Sequence, residues 1–252
     1  GFVGEGSAIR VAQGSYSEKT LSPKKLGVIS TFSKELASHS VPQIQSLVTG
    51  QLLGDTAAVL DTTFFDANAR TSDRPAGLQD ATDGAGAANV NASAGNTVAN
   101  IIADLKGVLG RALAAKAGTS GVWVMNPLRR LGLTTVQDAA SGEYPFRDEI
   151  NAGRLFGYPV VVSQNMTADL VAFIPNDTFV YANDYAPRVD VSDSATLHMV
   201  DASALPLNDG TTAAGPVRSL YQTDTLAVKM TMGLDWRLIR PNAAQVLTAV
   251  GW

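Results

Sequence analysis

Two histidines, His39 and His198, are the only imidazoles in the chain, and they stand far apart in sequence. Acid–base or metal chemistry built on histidine needs a second ligand or an orienting carboxylate close by. Neither histidine has such a neighbour in its motif, so each reads as a surface or interface side chain. The five glutamates (Glu5, Glu18, Glu35, Glu143, Glu149) are scattered. Asp190 and Asp193 lie close together, and a solvated turn accounts for them without a carboxylate dyad or a cation site. The run Gly84-Ala85-Gly86-Ala87-Ala88-Asn89 imitates part of a phosphate-cradling loop. It follows no predicted strand and lacks the closing Gly-Lys-Ser/Thr, so it reads as a flexible linker. Gly118-Thr119-Ser120-Gly121 lacks the spacing of a nucleophile elbow and reads as the end of a helix. The chain contains no cysteine, which removes disulfides and thiolate metal sites. No catalytic residue, cofactor site or metal site emerges, and the expectation is a protein that is not an enzyme and carries no cofactor.

Charge leads the same way. With 252 residues, 45% hydrophobic and 17% charged, the chain can bury a large core, which excludes disorder of the whole. A formal net charge of -4 excludes a dedicated nucleic-acid binder. Lys19, Lys24, Lys25, Arg129 and Arg130 are too few for a nucleic-acid track and read as salt-bridge partners or a solvated face. No apolar run approaches the roughly 20 residues that cross a bilayer, so no membrane span is expected. The opening Gly1-Phe2-Val3-Gly4-Glu5-Gly6 resembles neither an initiator nor a signal peptide, and a processed piece of a longer chain is expected.

The elements that would position these side chains follow a definite order. Strand-like pieces at residues 7–12 and 25–32 flank a polar stretch and suggest a two-stranded arm. Such a hairpin is marginal in water and needs another chain to lie against. A short helix is expected at 32–38. A long one starts at Pro42, where the missing N–H costs nothing, and runs to about Phe65, a rod of roughly 35 Å. Gly50 and Gly54 weaken it by about 1 kcal/mol each relative to Ala. Residues 67–95 read as a mobile loop anchored only at Arg74-Pro75-Ala76-Gly77-Leu78. An amphipathic helix follows, with Val98, Ile101, Ile102, Leu105, Val108, Leu109, Ala112 and Leu113 on one face. The sheet beneath it comes from three apolar runs, 121–125, 158–162 and 170–174, of the kind found in buried strands. Finally, Leu226, Val228, Met230, Met232, Leu234, Trp236 and Leu238 alternate with small and polar residues. That is one strand of about 40 Å, twice the usual length, suited to packing along the long helix. Asn208-Asp209-Gly210 marks a tight turn at the tip of a polar excursion. There is no internal repeat.

Several short motifs in this order carry a resemblance. They are Val3-Gly4-Glu5-Gly6 opening the arm, Leu21-Ser22-Pro23-Lys24-Lys25-Leu26 on its return, and Phe32-Ser33-Lys34-Glu35-Leu36 with Ser40-Val41-Pro42 heading the long helix. Arg74-Pro75-Ala76-Gly77-Leu78, Val122-Trp123-Val124-Met125-Asn126-Pro127, Leu155-Phe156-Gly157-Tyr158-Pro159-Val160-Val161 and Trp236-Arg237-Leu238-Ile239-Arg240-Pro241 follow. Together they resemble the major capsid proteins of tailed bacteriophages, across essentially the whole chain. The resemblance implies an α+β protein with the Hong Kong 97-like capsid fold. An extended β-hairpin loop would occupy residues 1–30, a peripheral domain with the long spine helix and long β-strands 31–75 and 177–240, and an axial α/β domain 76–176 and 241–252.

It also implies a structural subunit of an icosahedral phage or prophage capsid, a homo-oligomer of hexamers and pentamers assembled in the host bacterial cytoplasm. The shell would enclose double-stranded DNA without sequence-specific binding, with portal, scaffold and maturation protease as further partners. Ile9, Arg10, Val11, Lys19, Lys24, Lys25, Asp190, Asp193, Asn208, Asp209 and Arg218 are the candidate inter-subunit contacts. Some family members weld subunits by a lysine–asparagine isopeptide bond that needs a glutamate late in the chain. Lys19 stands where the loop lysine would be, but no glutamate lies beyond Glu149, so no self-catalysed cross-link is expected. The alternative reading is an encapsulin-like nanocompartment packaging a cargo enzyme; an α/β hydrolase-like enzyme and a tail-tube protein are further rivals.

Overall fold

The computed structural model describes residues 2–6, 19–35, 44–86, 89–117, 119–198, 217–240 and 243–252. Two sheets and a long helix organise them. In the first sheet β1 (Lys24–Ser33) and β7 (Phe179–Ser192) flank the central β10 (Thr225–Leu238), all antiparallel. The long alternating strand therefore exists. β1 runs the whole register from Lys24 opposite Leu234 to Ser33 opposite Thr225. This changes the picture of the arm: its return strand is an edge of a sheet in its own molecule, because Leu26 packs with Met232, Leu234 and Trp236. The opening strand at 7–12 and the turn at Asn208-Asp209 lie outside the described residues; of the helix expected at 32–38, Phe32 and Ser33 instead finish β1, where they pair with Leu226 and Thr225, only Lys34 and Glu35 are helical, and 36–38 lie outside the described residues.

The spine helix α1 (Ile44–Phe65) lies along this sheet, with Leu60 and Phe64 against the apolar file of β10. Phe64 meets Phe65, Phe179 and Trp236 edge-to-face at 5.0 to 5.7 Å between ring centres. Such contacts add to simple burial. Leu53 and Val59 stay exposed.

The second sheet has six strands in the order β2 (Val90–Ala92), β11 (Gln245–Thr248), β6 (Val171–Pro175), β3 (Gly121–Met125), β5 (Tyr158–Val162) and β4 (Arg154–Leu155), with parallel and antiparallel pairs. Helix α2 (Val98–Ala114) covers one face with Ile101, Leu105, Val108 and Ala112, packed on Trp123, Met125 and Phe173. Thr97 caps it by accepting from the Asn100 N–H. Its C-terminus closes in the paired bonds of a Schellman motif, Lys116 N to Leu113 O and Ala117 N to Ala112 O. Lys116, at φ 56°, takes the left-handed position; the helix ends before Gly118, which lies outside the described residues. Two short helices, α3 (Pro127–Thr135) and α4 (Arg147–Asn151), complete this side. The opposite face is covered by Phe65, Leu78 and Ala85 on Val124, Ala172, Ile174 and Val246. Both faces of β3 and β6 are thus buried, which is why their sequences run apolar without alternation. β5 departs from the expected burial: Val161 and Val162 are exposed, because its only outer neighbour, β4, pairs just Arg154 and Leu155 with it. A small pair, β8 (Thr196–His198) and β9 (Val217–Ser219), stands apart.

The segment expected to be a mobile loop is instead packed. Ala76, Leu78, Asp80 and Ala85 are buried, and Asp80 accepts from the N–H groups of Thr82 and Asp83 at 3.0 and 2.7 Å. Small residues permit the close approach, since a Cβ on Gly84 would come within 2.5 Å of the Gly77 carbonyl oxygen. The glycines that suggested a linker serve tight packing.

Candidate functional site: the arm root and the spine groove

β10 presents two files. Leu234, Trp236 and Leu238 face the spine helix, while Gly233, Asp235 and Arg237 occupy the alternate positions. Asp235 is nonetheless fully buried. Its carboxylate accepts from the Arg70 guanidinium, from the Ser22 N–H at 2.8 Å and from the Trp236 N–H at 2.9 Å. Arg70 also reaches the Ser22 hydroxyl and the Trp236 carbonyl. Arg237 grips Asp83 Oδ1 through Nε and Nη2 at 3.1 and 2.6 Å, and donates to the Thr20 carbonyl at 3.3 Å. Burial pushes the Asp83 carboxyl up, but the Arg237 hydrogen bonds and charge, joined by Lys19, outweigh it and hold the group below its ordinary value of 3.8. Residues 19–22 are thereby tied to two buried or part-buried ion pairs at the foot of the arm. This is a fixed root.

The expected contact residues sort into three groups. Lys19 is brought to this root, 3.5 Å from Asp83, and Lys24 nearby donates to the Ser72 carbonyl at 2.7 Å; Lys25 is exposed. Asp190 and Asp193 belong to the far end of β7 and do not join it. Asp190 pairs with Lys229 at 3.2 Å and Asp193 with Lys34 at 3.3 Å, all at the surface, where such pairs contribute little. A hydrogen bond to Asp193 raises the Lys34 ammonium above its ordinary value, desolvation opposing and Asp224 reinforcing. Ile9, Arg10, Val11, Asn208 and Asp209 lie outside the described residues, and Arg218 is described only as a backbone position in β9. Sequence reasoning missed Arg70, Asp83, Asp235 and Arg237. The one signal was a pair of charges at alternate positions of a strand; their partners stand far away in sequence.

Between the spine helix and both sheets opens a cavity of about 580 Å³ lined by Leu60, Asp61, Phe64, Ile174, Phe179 and Tyr181 among others. Asp61 at its rim accepts from Ser163 and Asn165 side chains. Among the described residues no cluster of three or more His, Cys, Asp or Glu is placed to hold a metal. No helix of the described residues is long and apolar enough to cross a membrane.

The model of the phage capsid family matches residues 1–249. The chain belongs to that family. Over its whole length this capsid chain is 32% identical to the capsid polyprotein of Pseudomonas phage PAJU2, of which it spans 37%. In structure it is similar to a chain of Mycobacterium phage Adephagia, with TM-score 0.76, 17% identity and coverage of 98% of this chain and 80% of that one. It is also similar to the chain titled capsid of empty GTA particle computed with C5 symmetry, with TM-score 0.62, 16% identity and coverage of 98% and 81%. The capsid fold expected from the motifs is therefore present.

Proposed function

We propose that this capsid protein builds an icosahedral shell from hexamers and pentamers that encloses double-stranded DNA. Assembly takes place in the host bacterial cytoplasm with a portal, a scaffold and a maturation protease as partners. In this reading residues 1–30 are the extended loop, 31–75 with 177–240 the peripheral domain, and 76–176 with 241–252 the axial domain. The observation that supports it is the family match across residues 1–249, joined to an arm whose foot is anchored at Asp235 and Asp83. A formal charge of -4 suits a wall that contains DNA without gripping it. The surface pairs of Asp190 and Asp193, with Lys25 and Arg218, are proposed to exchange partners with neighbouring copies.

Electron microscopy of the full-length protein assembled in a bacterial host tests this. Closed isometric shells holding nuclease-protected double-stranded DNA are expected. Shells filled with an enzyme and no DNA would favour the nanocompartment, and a permanently monomeric protein in light scattering would end the proposal. The chain is also proposed to do no covalent chemistry: the Lys19 ammonium is occupied by Asp83. Boiled, denatured particles should therefore run as a single monomer band, and a covalent ladder in gels or mass spectra would refute this.

A further inference from the structure

The cavity between the spine helix and both sheets is lopsided in its chemistry. Of the ten residues that line it, Asp61 alone is charged, and only Asn176 and Tyr181 add further polar side chains apart from the Trp236 indole. That indole N–H is already committed to the Ala76 carbonyl at 2.8 Å, so it offers a ligand no donor. Ile174, Leu234 and Trp236 are buried in the lining. Phe64 meets Phe179 and Trp236 edge-to-face, so the three rings hold one another in place. A mostly apolar cleft of about 580 Å³, set between packed units and carrying a few placed polar groups, has the size and lining of a small-molecule site.

Asp61 decides the sign of the ligand. The Ser163 hydroxyl at 2.6 Å and the Asn165 amide at 3.4 Å both donate to its Oδ2. Among the described residues Oδ1 accepts no hydrogen bond and no cation pairs with the carboxylate. The helix supplies the acid and the turn after β5 orients it, so the carboxylate is set before a ligand arrives. Beside apolar walls its pull on a cation exceeds that of a carboxylate in open water. An anion would meet this charge with no opposing cation in the lining. A ligand rich in neutral polar groups would leave most of them unpaired.

We infer that this cavity binds an organic cation, an amine on a rigid apolar body of about two rings, with the ammonium on Asp61 Oδ1 and the body among Phe64, Phe179 and Trp236. Such a ligand touches the spine helix, the first sheet through Phe179 and Leu234, and the second through Val122 and Ile174. Binding therefore stabilises the folded subunit. The site belongs to the single subunit and stands apart from the shell reading.

Biphenyl-4-ylmethylammonium, the matching alcohol and biphenyl-4-carboxylate, titrated calorimetrically into unassembled full-length protein, test this. The ammonium should bind once per chain and raise the thermal midpoint. The alcohol should bind about tenfold or more weakly, and the carboxylate not at all. Asp61→Asn keeps an acceptor for Ser163; it should lower the ammonium to the affinity of the alcohol and leave the alcohol unchanged. Asn176 is exposed at the rim and only its backbone N–H is engaged, by the Ser120 carbonyl. Asn176→Trp should therefore fold normally, fill the mouth and abolish binding of both. Lack of any binding, a carboxylate that binds as tightly as the ammonium, or ammonium binding that survives either substitution would overturn the inference.

Discussion

Asp235 shows how much of this subunit turns on a few side chains. Its carboxylate is sealed from water, and one guanidinium neutralises it. Removing one partner of a buried pair leaves the other uncompensated, a loss of about 3 kcal/mol or more. Arg70→Ala should therefore lower the denaturation midpoint by that amount, while Arg70→Met with Asp235→Leu recovers most of it; equal losses in the two proteins would contradict this account. Trp236 carries the opposite risk. Its ring is buried beside Phe64 and its indole N–H donates to the Ala76 carbonyl at 2.8 Å. Trp236→Asp would place an unpaired charge there, and soluble folded protein should not be recovered. Asp83 supplies a pH dependence with a definite sign. Its folded value is depressed, so its contribution is complete above the ordinary carboxylate value and is lost as pH falls through the folded one. Amide protection factors at residues 19–22, with the intrinsic pH dependence of exchange divided out, should hold from neutrality to about pH 4 and fall below it; a fall beginning near pH 6 would point to another group.

At the scale of elements, the spine helix spends helix propensity without using it for its own packing. A Cβ on Gly50 or Gly54 would meet nothing within 4 Å. Gly54→Ala should raise the stability of the free subunit by about 0.5–1 kcal/mol, read from its thermal or urea midpoint; no change would mean that this turn is frayed. The buried face of α2 and the length of β10 were legible because each repeats a period over many residues: Ile101, Leu105, Val108 and Ala112 in one case, Leu226 to Leu238 in the other. β7 has no such period. One side of it has no strand partner among the described residues and its residues are mostly exposed, so they leave no alternating trace. The loop before α2 was misread for a related reason. Glycine and alanine mark flexibility and close packing alike, and only the position of Phe64 and Asp66, whose carbonyls accept from the Leu78 and Gln79 N–H groups, decides between them. The arm root was invisible because its pairs join residues 165 and 154 positions apart.

Across the whole molecule, backbone passes between the two sheets three times: from α1 into β2, from β6 into β7 and from β10 into β11. The last two passages run side by side, clasped where the Ile239 N–H donates to the Thr178 carbonyl at 2.8 Å. A pull separating the halves is therefore carried by covalent chain in parallel, and no ladder has to be peeled open one bond at a time. Phe65 and Leu238 pack with Ile174 and Val246 across the same joint, so turning one half on the other would also have to break this shared core. In the proposed shell such a joint would keep a tile from being drawn apart into its two halves.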